Sequence, residues 1–556
     1  MVVSKEGTAV FPFSFALGVV PLPEPLTTSI FYKLWLVAKI FVALCFAGLL
    51  SHKMWLVAKI FVALCLAGLL SLFAIVYLQF HSKSLPSDAS SLLSVQRKIL
   101  GQPRLLPKSD VKVTGYCDPS FAWVKEEFQA SLEEGREVGA QVAVYRGGQL
   151  MVSLSGGSVE YINKVETAST CASSGAESVS PLSVSASIPI FSSGKVAESA
   201  VIAMLADRGL LNYSDPISKH WPDFAQNGKE NITVSDLMRH QGGLAMPDSP
   251  FKWADVANSS KIDKILARQH LNYNHPWDHP TKPAQLYHAV TRGMYANELV
   301  RRVDPKHRTL GEFFRDEVAA PHNLTFFLGI NEEEWPVTKI GKMTDFPILF
   351  FLRYVPQYFL PNWKEARVWI LGGDDHDVLQ DFEARIGLGV VKKLLTGGHS
   401  LVVAMAKSMA GVIEGLNSVE DVNSRRFLSL ELSSGNGLAN AESMAKFGSL
   451  VLERKLFTRG DDGYLAAAER GEIRFDHGVN FDVAYTACGW AYDRLKFAGL
   501  EGWIGWAGAS GSILQWNDML GLSFAYTTVL PYARIGKPRG ERLMKAAVRS
   551  VEGWTK

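Results

Sequence analysis

A serine and a lysine three residues apart, Ser192 and Lys195, form the pattern in this chain that most directly indicates chemistry. Residues 183–191 before the pair resemble a strand, and residues 195–205 after it have the apolar spacing of a helix. Positions three apart share a helix face, so we expect the lysine amine to reach the serine hydroxyl. Serine attacks only when a base accepts its proton, and lysine can be that base when burial or nearby positive charge lowers its pKa.

The S-x-x-K string alone is a weak signal, because it occurs twice more, at residues 249–252 and 443–446. Only the string at 192–195 lies between a strand-like run and an apolar helix. Its position therefore selects it as the candidate nucleophile motif.

Strand-like runs lie near both ends of the predicted domain, and helix-like sequence lies between them. Two alternating runs meet at Gly147 and Gly148, which predicts a β-hairpin. Two further β-like runs, at 511–515 and 520–529, precede a helix-like stretch near the end. The sequence therefore predicts an α+β fold, an α/β sandwich whose antiparallel sheet is formed by both ends of the domain and flanked by helices. A helical subdomain is inserted at about 205–430.

The amino-terminal part indicates membrane attachment. Residues 60–80 carry no charge and match the roughly 20 residues that a helix needs to cross a bilayer. A buried core helix is the alternative. The apolar segment 33–51 is repeated almost letter for letter at 53–71. Segment 33–51 is either a second membrane span or an error in the sequence. The expected divisions are a tail (1–53), a transmembrane helix (54–80), a stalk (81–110) and a hydrolase domain (111–545).

Charge and sequons bear on partners and location. A net charge of +2 without a basic stripe gives no support to nucleic-acid binding. The expected location is a membrane, crossed once, with the catalytic domain lumenal or extracellular; the inverted topology would place it in the cytosol. Four Asn-x-Ser/Thr sequons are candidate glycosylation sites in that orientation: Asn212, Asn231, Asn258 and Asn323.

Four strings in a fixed order resemble the serine beta-lactamase-related family. They are FSSGK (191–195), a stretch at 208–244, LYHAVTRGMYANELVRRVD (286–304) and GWAGASGSILQW (505–516). The family includes class C beta-lactamases, D-alanyl-D-alanine carboxypeptidases, lactamase-like esterases and membrane-anchored animal homologues. The last group is the one that the predicted anchor favours, and the resemblance covers roughly residues 112–535.

The resemblance implies a role for each matching residue. Ser192 would be the acylated nucleophile, Lys195 its partner in proton transfer and Tyr287 the general base. The backbone N–H groups of Ser192 and Ala509 would form the oxyanion hole. A phenol beside a lysine ammonium would be drawn toward phenolate, a base strong enough to take the serine proton.

Two motifs depart from the lactamase and peptidase pattern. Ala289 stands where those enzymes carry an asparagine, and Trp506 stands where they carry lysine or histidine. Tryptophan cannot pair with a carboxylate, so lactam or peptide-terminus recognition is disfavoured and ester or amide hydrolysis remains. Trp506 is expected to line an apolar acyl pocket or to donate its indole N–H. The predicted pocket residues are Trp506, Ala507, Gly508 and Ala289.

These features predict a membrane-anchored serine hydrolase that cleaves a small-molecule ester or amide through a Ser192 acyl-enzyme, without a cofactor. The alternative is a catalytically inactive protein that keeps the fold for assembly or ligand binding. A peptidase differs from these only in substrate, and the sequence leaves a homo-oligomer open.

Other conspicuous residues favour structural roles. Prolines break any metal-ligand spacing in the cluster of His270, His275, Asp278 and His279, so no metal site is expected. His240 is expected to be a structural hydrogen-bonding residue. The aromatic run at 346–360 favours core packing over a lid or membrane-facing patch. Tyr485 and Tyr526 lack the neighbours that mark Tyr287.

Overall fold

A computed structural model gives the fold of the predicted hydrolase domain. It describes residues 111–133, 137, 139–158, 185–272, 284–335, 340, 412–416, 419–476, 478–479, 481–493, 502–529 and 538–552. The predicted tail, anchor and stalk lie outside these residues, as does the aromatic run at 346–360. Among the described helices, none has both the length and the apolar character needed to cross a membrane.

A nine-stranded antiparallel sheet forms the centre of the described structure. Its spatial order is β1-β3-β2-β12-β11-β10-β9-β8-β7, so strands from the two ends of the domain meet where β2 pairs with β12. The prediction of one sheet built from both ends is confirmed. The strands are Val111–Cys117 (β1), Gly139–Arg146 (β2), Gln149–Ser158 (β3), Arg474–Asp476 (β7), Phe481–Tyr485 (β8), Ala491–Asp493 (β9), Trp503–Ala507 (β10), Ile513–Asn517 (β11) and Leu522–Thr528 (β12).

A second, small sheet joins three distant segments in the order β4-β6-β5. Its strands are Ile188–Pro189 (β4), Phe326–Phe327 (β5) and Leu438–Ala439 (β6). The strand predicted over 183–191 is therefore too long. Pro189 has no N–H to extend a ladder, and the chain turns into a 3-10 helix at Phe191.

The hairpin between β2 and β3 forms where the glycine pair predicts it. Gly147 and Gly148 have φ values of +52° and +79°. Two consecutive positive φ values are what a type I′ turn requires, and glycine adopts them without a Cβ penalty.

Helices cover both faces of the large sheet. They are Ala122–Glu133 (α1), Lys195–Asp207 (α2), Ile217–His220 (α3), Val234–Met238 (α4), Trp253–Val256 (α5), Ser259–Arg268 (α6), Thr291–Val303 (α7), Leu310–Phe314 (α8), Val419–Val422 (α9), Arg425–Leu428 (α10), Ala441–Leu452 (α11), Asp461–Ala468 (α12) and Pro538–Glu552 (α13). Short 3-10 helices span Pro119–Phe121, Phe191–Gly194 and Pro222–Phe224, and a π-helical turn spans Arg315–Ala319.

Two hydrophobic cores lie on opposite faces of the sheet. On β12, Phe524 and Tyr526 belong to the core under α1 and α13, whereas Ala525 belongs to the core that contains α2 and α11. Successive strand residues point to opposite faces, so both faces of β12 are apolar and all seven of its residues are buried. This three-layer arrangement buries α2, whose first residue is Lys195, along its whole length.

Candidate active site

Ser192 lies in a strained turn at the start of α2. It is the second residue of the 3-10 helix Phe191–Gly194, and Phe191 before it has a φ of +47°. A left-handed conformation in a residue other than glycine costs of order 1–3 kcal/mol and persists only where the surroundings impose it. Ser192 itself stays half-buried, whereas every residue of α2 is buried. The turn therefore presents the serine at the edge of the core.

The structure brings Ser192, Lys195 and Tyr287 together. The Tyr287 hydroxyl donates a hydrogen bond of 2.7 Å to Ser192 Oγ. Lys195 Nζ lies 4.8 Å from the centre of the Tyr287 ring. Both partner side chains are buried, with exposed fractions of 2% for Lys195 and 3% for Tyr287. The predicted hydroxyl, amine and phenol thus converge at one place.

The hydrogen-bond partners of the Lys195 amine differ from the predicted one, the Ser192 hydroxyl. Nζ donates to the carbonyl oxygens of Ala289, at 2.6 Å, and Ser434, at 2.8 Å. Within the described residues it makes no hydrogen bond to Ser192 Oγ. A neutral amine has two N–H groups, so these two carbonyls can occupy both and leave its lone pair free.

Burial shifts the pKa values of the two partner groups in opposite directions. Burial, with a further contribution from the Arg292 guanidinium, holds the pKa of Lys195 well below its ordinary value, and Glu198 opposes this only in part. Burial raises the pKa of Tyr287 above that of a free phenol, although hydrogen bonds with Ser192 and Trp506 oppose the rise. Burial therefore disfavours the charged form of each group, the lysine ammonium as well as the phenolate that the resemblance implied.

Trp506 donates its indole N–H to the Tyr287 hydroxyl over 3.1 Å. Its ring also stacks on Tyr287 and Tyr485, with centroids 5.5 and 5.6 Å apart. Of the two predicted roles for Trp506, the structure shows the hydrogen-bond donor. Trp506 thus contacts the tyrosine oxygen without placing a positive charge beside it, as the lysine or histidine of lactamases and peptidases would.

The loop after β10 is joined to the turn that carries Ser192. Ser512 Oγ donates to the Ile190 carbonyl at 2.6 Å and lies 2.9 Å from Ser193 Oγ. These contacts bring the segment containing Ala509 against the nucleophile turn. Within the described structure, the backbone N–H groups of Ser192 and Ala509 make no hydrogen bond. They are the two donors predicted for an oxyanion hole.

Gly508 permits this close approach, which leads to a test. A Cβ on Gly508 would lie 2.2 Å from the Ile190 carbonyl oxygen and 2.4 Å from Ser512 Oγ. Gly508→Ala should push the loop away and displace the Ala509 N–H, with a loss of about 10²–10³ in kcat, as for removal of one oxyanion donor. Steady-state ester hydrolysis measures this loss. Gly435→Ala is the matched control, because its nearest neighbours lie 3.9 Å away; equal activity in both variants would contradict the assignment.

Comparison with known proteins places this domain in one family. The beta-lactamase family model matches residues 124–545. The chain belongs to this family. The matched range includes the turn of Ser192, the segment around Tyr287 and the loop after β10.

Three relatives illustrate the range of this beta-lactamase fold. Esterase/beta-lactamase LipL of Mycobacterium tuberculosis is 33% identical over 215 residues, which are 39% of this chain and 44% of LipL. The matched region thus spans less than half of that relative's length. A family VIII carboxylesterase and a penicillin-binding protein homologue from Caulobacter crescentus are each 23% identical, with TM-scores of 0.60 and 0.59. Each match covers 79% of this chain and 100% of the other. These relatives give no support to the narrower prediction of a membrane-anchored animal-type member.

Sequence reasoning missed Asp476, which fixes the segment around Tyr287. The buried carboxylate accepts the Tyr287 N–H at 2.9 Å, the Gly478 N–H at 2.8 Å and the Tyr485 hydroxyl at 3.1 Å. Burial raises its pKa to about 6, although these hydrogen bonds oppose the rise. No motif marks Asp476, because it lies 189 residues from Tyr287 at the end of a three-residue strand.

Two histidines support the same segment as neutral groups. His240 Nδ1 accepts the His288 N–H at 3.0 Å, which agrees with the predicted structural role of His240. His288 Nε2 accepts the Leu244 N–H at 3.0 Å, and its Nδ1 lies 2.6 Å from the Leu286 carbonyl. Burial lowers the pKa of both rings, that of His288 to about 3. The histidines therefore fix the backbone around Tyr287 and are not the base.

The other candidate residues that the structure describes make no hydrogen bond to Ser192. Tyr526 donates to Glu137 on the opposite face of the sheet, and Tyr485 donates to Asp476. His270 pairs with Asp248 at 2.9 Å, whereas His275, Asp278 and His279 lie outside the described residues. Among described residues, no His, Cys, Asp or Glu group could hold a metal. In the third S-x-x-K string, Ser443 Oγ accepts from Thr325 N–H and Lys446 donates to the His322 carbonyl.

Proposed function

We propose that this chain is a serine hydrolase that cleaves an ester or amide through an acyl-enzyme on Ser192. The observation that carries the proposal is the 2.7 Å hydrogen bond between Tyr287 Oη and Ser192 Oγ beside the buried amine of Lys195. A nucleophile within hydrogen-bond reach of a proton carrier, which is itself held next to a base, has the arrangement that covalent catalysis needs.

In the first step, Ser192 Oγ bonds to the substrate carbonyl carbon as its proton passes to Tyr287 Oη. The Tyr287 hydroxyl must turn from Ser192 to give its own proton to Lys195, whose amine lies 4.8 Å from the centre of the Tyr287 ring and whose free lone pair can accept that proton. The N–H groups of Ser192 and Ala509 stabilise the resulting oxyanion. Collapse breaks the bond to the leaving alcohol or amine, which takes up the proton. Water then bonds to the acyl carbon as its proton passes to Tyr287 and Lys195; the bond from that carbon to Ser192 Oγ breaks, the serine takes up the proton, and the acid is released.

We favour neutral esters over lactams and carboxy-terminal peptides as substrates. The position that carries a cation in lactamases is Trp506, whose N–H already contacts Tyr287. Arg292 cannot replace that cation, because it is fully buried and all five of its N–H donors have partners. A substrate carboxylate would find no free cation in either residue. Two of the relatives described above are also named as esterases.

The test is covalent labelling followed by substrate comparison. A fluorophosphonate probe should label the protein, and mass spectrometry should map the adduct to the peptide containing Ser192. p-Nitrophenyl esters of graded acyl length should then be hydrolysed with higher kcat/KM than a beta-lactam or a D-alanyl-D-alanine peptide. Failure to label, together with no turnover of any substrate, would favour the inactive alternative. Preference for the lactam or peptide would overturn the ester assignment.

The membrane location is also proposed. It rests on the uncharged run at 60–80 and on the exposure of all four sequon asparagines, Asn212, Asn231, Asn258 and Asn323. Full-length protein expressed in animal cells should sediment with membranes and migrate faster after N-glycosidase treatment. An unchanged mobility would contradict the lumenal or extracellular orientation, and recovery in the soluble fraction would contradict the anchor.

A further inference from the structure

A buried ion pair lies behind the candidate active site. Arg292 Nε and Glu198 Oε1 are 2.6 Å apart, and both side chains have an exposed fraction of 0%. Glu198 follows Lys195 by one turn of α2, and Arg292 is the second residue of α7. The roles proposed for the nucleophile and its proton path use neither residue.

The pair contacts Lys195 through its main chain and, by way of a serine, through its amine. Arg292 Nη2 donates to the Lys195 carbonyl at 3.1 Å. Glu198 Oε2 accepts from Ser434 Oγ at 2.7 Å and from Ser433 Oγ at 2.9 Å. The Ser434 carbonyl in turn accepts from Lys195 Nζ at 2.8 Å. Ser434 therefore links the ion pair to the amine, through its hydroxyl on one side and its carbonyl on the other.

Stability alone is a poor explanation for this pair. Removing both charges from water costs several kcal/mol per ion, and an apolar pair of similar volume is often at least as stable. The two charges nevertheless act on Lys195 in opposite directions. The Arg292 cation disfavours a protonated amine and the Glu198 carboxylate favours it. At short range and low dielectric, such effects are large.

We propose that Arg292 and Glu198 are positioning residues for Lys195, which hold its amine in place and set how readily that amine takes up a proton. This inference rests on the proposed hydrolase function. It predicts that the two charges shift the pH dependence of the reaction in opposite directions.

Few other titratable groups face Lys195 among the described residues. The segment before α7 contributes the phenol of Tyr287 and the imidazole of His288. The segment after α4 contributes a second imidazole, that of His240. Asp476 reaches the amine only through its contacts with Tyr287. From β10 comes the uncharged Trp506, and from the 433–434 segment two serines. Helices α8 and α12 meet α2 at its other end, near Arg208 and Asp207.

The experiment measures kcat/KM for a p-nitrophenyl ester, and the rate of fluorophosphonate labelling, from pH 5 to 10. The neutral amine is the active form, so the acid limb of each profile reports loss of its proton. Glu198→Gln removes the carboxylate and should move the limb to lower pH. Arg292→Met removes the cation and should move it upward by about one pH unit or more, a tenfold loss per unit on that limb. Arg292→Lys, which restores the charge, should move it back.

The control is Arg302→Met on the same helix, which removes a cation that pairs with Glu298 and Asp263 instead, and it should leave the limb unchanged. Thermal melts show whether each variant folds. If Arg292→Met does not fold, the inference is tested by the pH profile of Glu198→Gln alone, because that substitution keeps the side-chain shape. Lower rates with unshifted limbs would show a merely structural role and overturn the inference. A wild type that neither labels nor hydrolyses esters would instead overturn the proposed function.

Discussion

Replacing Ser192 with alanine is expected to abolish fluorophosphonate labelling and to lower kcat for ester hydrolysis by on the order of 10⁶, as loss of the nucleophile does in a serine protease. The alanine removes the only atom proposed to bond to the substrate carbon. It also removes the acceptor of the 2.7 Å hydrogen bond from Tyr287, but it leaves the backbone N–H in place. Residual catalysis from the oxyanion donors is therefore expected to remain small but measurable.

The matched control for this prediction is the adjacent serine. Ser193 is fully buried, and its hydroxyl lies 2.9 Å from Ser512 Oγ in the contact that joins the two loops. Ser193→Ala should keep the label and most of the activity, because the bond from Ser512 Oγ to the Ile190 carbonyl still joins the two loops, with about 1 kcal/mol lost from the free energy of unfolding. Intact mass spectra of both variants give the labelled fraction directly. Labelling of Ser192→Ala at the wild-type rate would remove Ser192 from the mechanism.

Local signals predicted the elements that depend on local chemistry. The glycine pair specified the hairpin between β2 and β3, and the apolar spacing after Lys195 specified α2. The order of the strands had no such signal. Ala140 pairs with Thr528, and no periodicity relates residues so far apart in sequence. The strand-like runs at both ends predicted one sheet that joins them, but not which strands are neighbours.

In the candidate site, too, the sequence predicted some features and not others. Residue type and context identified Ser192 and Lys195, the family resemblance implied Tyr287, and the structure brings all three together. Their charge states could not be predicted, because these depend on burial and on charges supplied by other elements. Arg292 reaches Lys195 from 97 residues away, and it acts on the amine from inside the core.

One signal for the ion pair was present in the sequence. Glu198 is a charged residue one turn after Lys195, within the apolar run that marks this helix, and every residue of the helix is buried. A buried carboxylate requires a partner, so a buried cation elsewhere was implied. The sequence does not indicate that the partner is Arg292.

The uncharged donor at Trp506 is consistent with a base other than tyrosinate. Its N–H stabilises a negative oxygen less than a cation would, and burial raises the pKa of Tyr287 despite that contact. Lys195 is affected in the opposite sense, because burial and Arg292 both disfavour its charged form. Lys195 thereby keeps a free lone pair, so we expect it to accept the serine proton transiently during the reaction, with Tyr287 as the relay.

Tyr287→Phe is expected to lower kcat by about 10²–10⁴, the range that a positioned proton-transfer group contributes. Phenylalanine keeps the ring that stacks on Trp506 but removes the hydroxyl that bonds Ser192 and accepts the indole N–H. Ser192 would then have no relay for its proton. KM should change little, because the hydroxyl acts on the nucleophile and not on the substrate.

Tyr485→Phe provides the comparison, since it removes a hydroxyl from the same aromatic cluster that bonds Asp476 rather than Ser192. It should cost about 1 kcal/mol of stability and leave kcat within a few-fold of wild type. Stopped-flow acylation with a p-nitrophenyl ester separates the chemical step from product release in both variants. Equal acylation rates for Tyr287→Phe and wild type would mean that the proton leaves Ser192 directly toward Lys195, because then the 2.7 Å contact between the hydroxyls does not carry it.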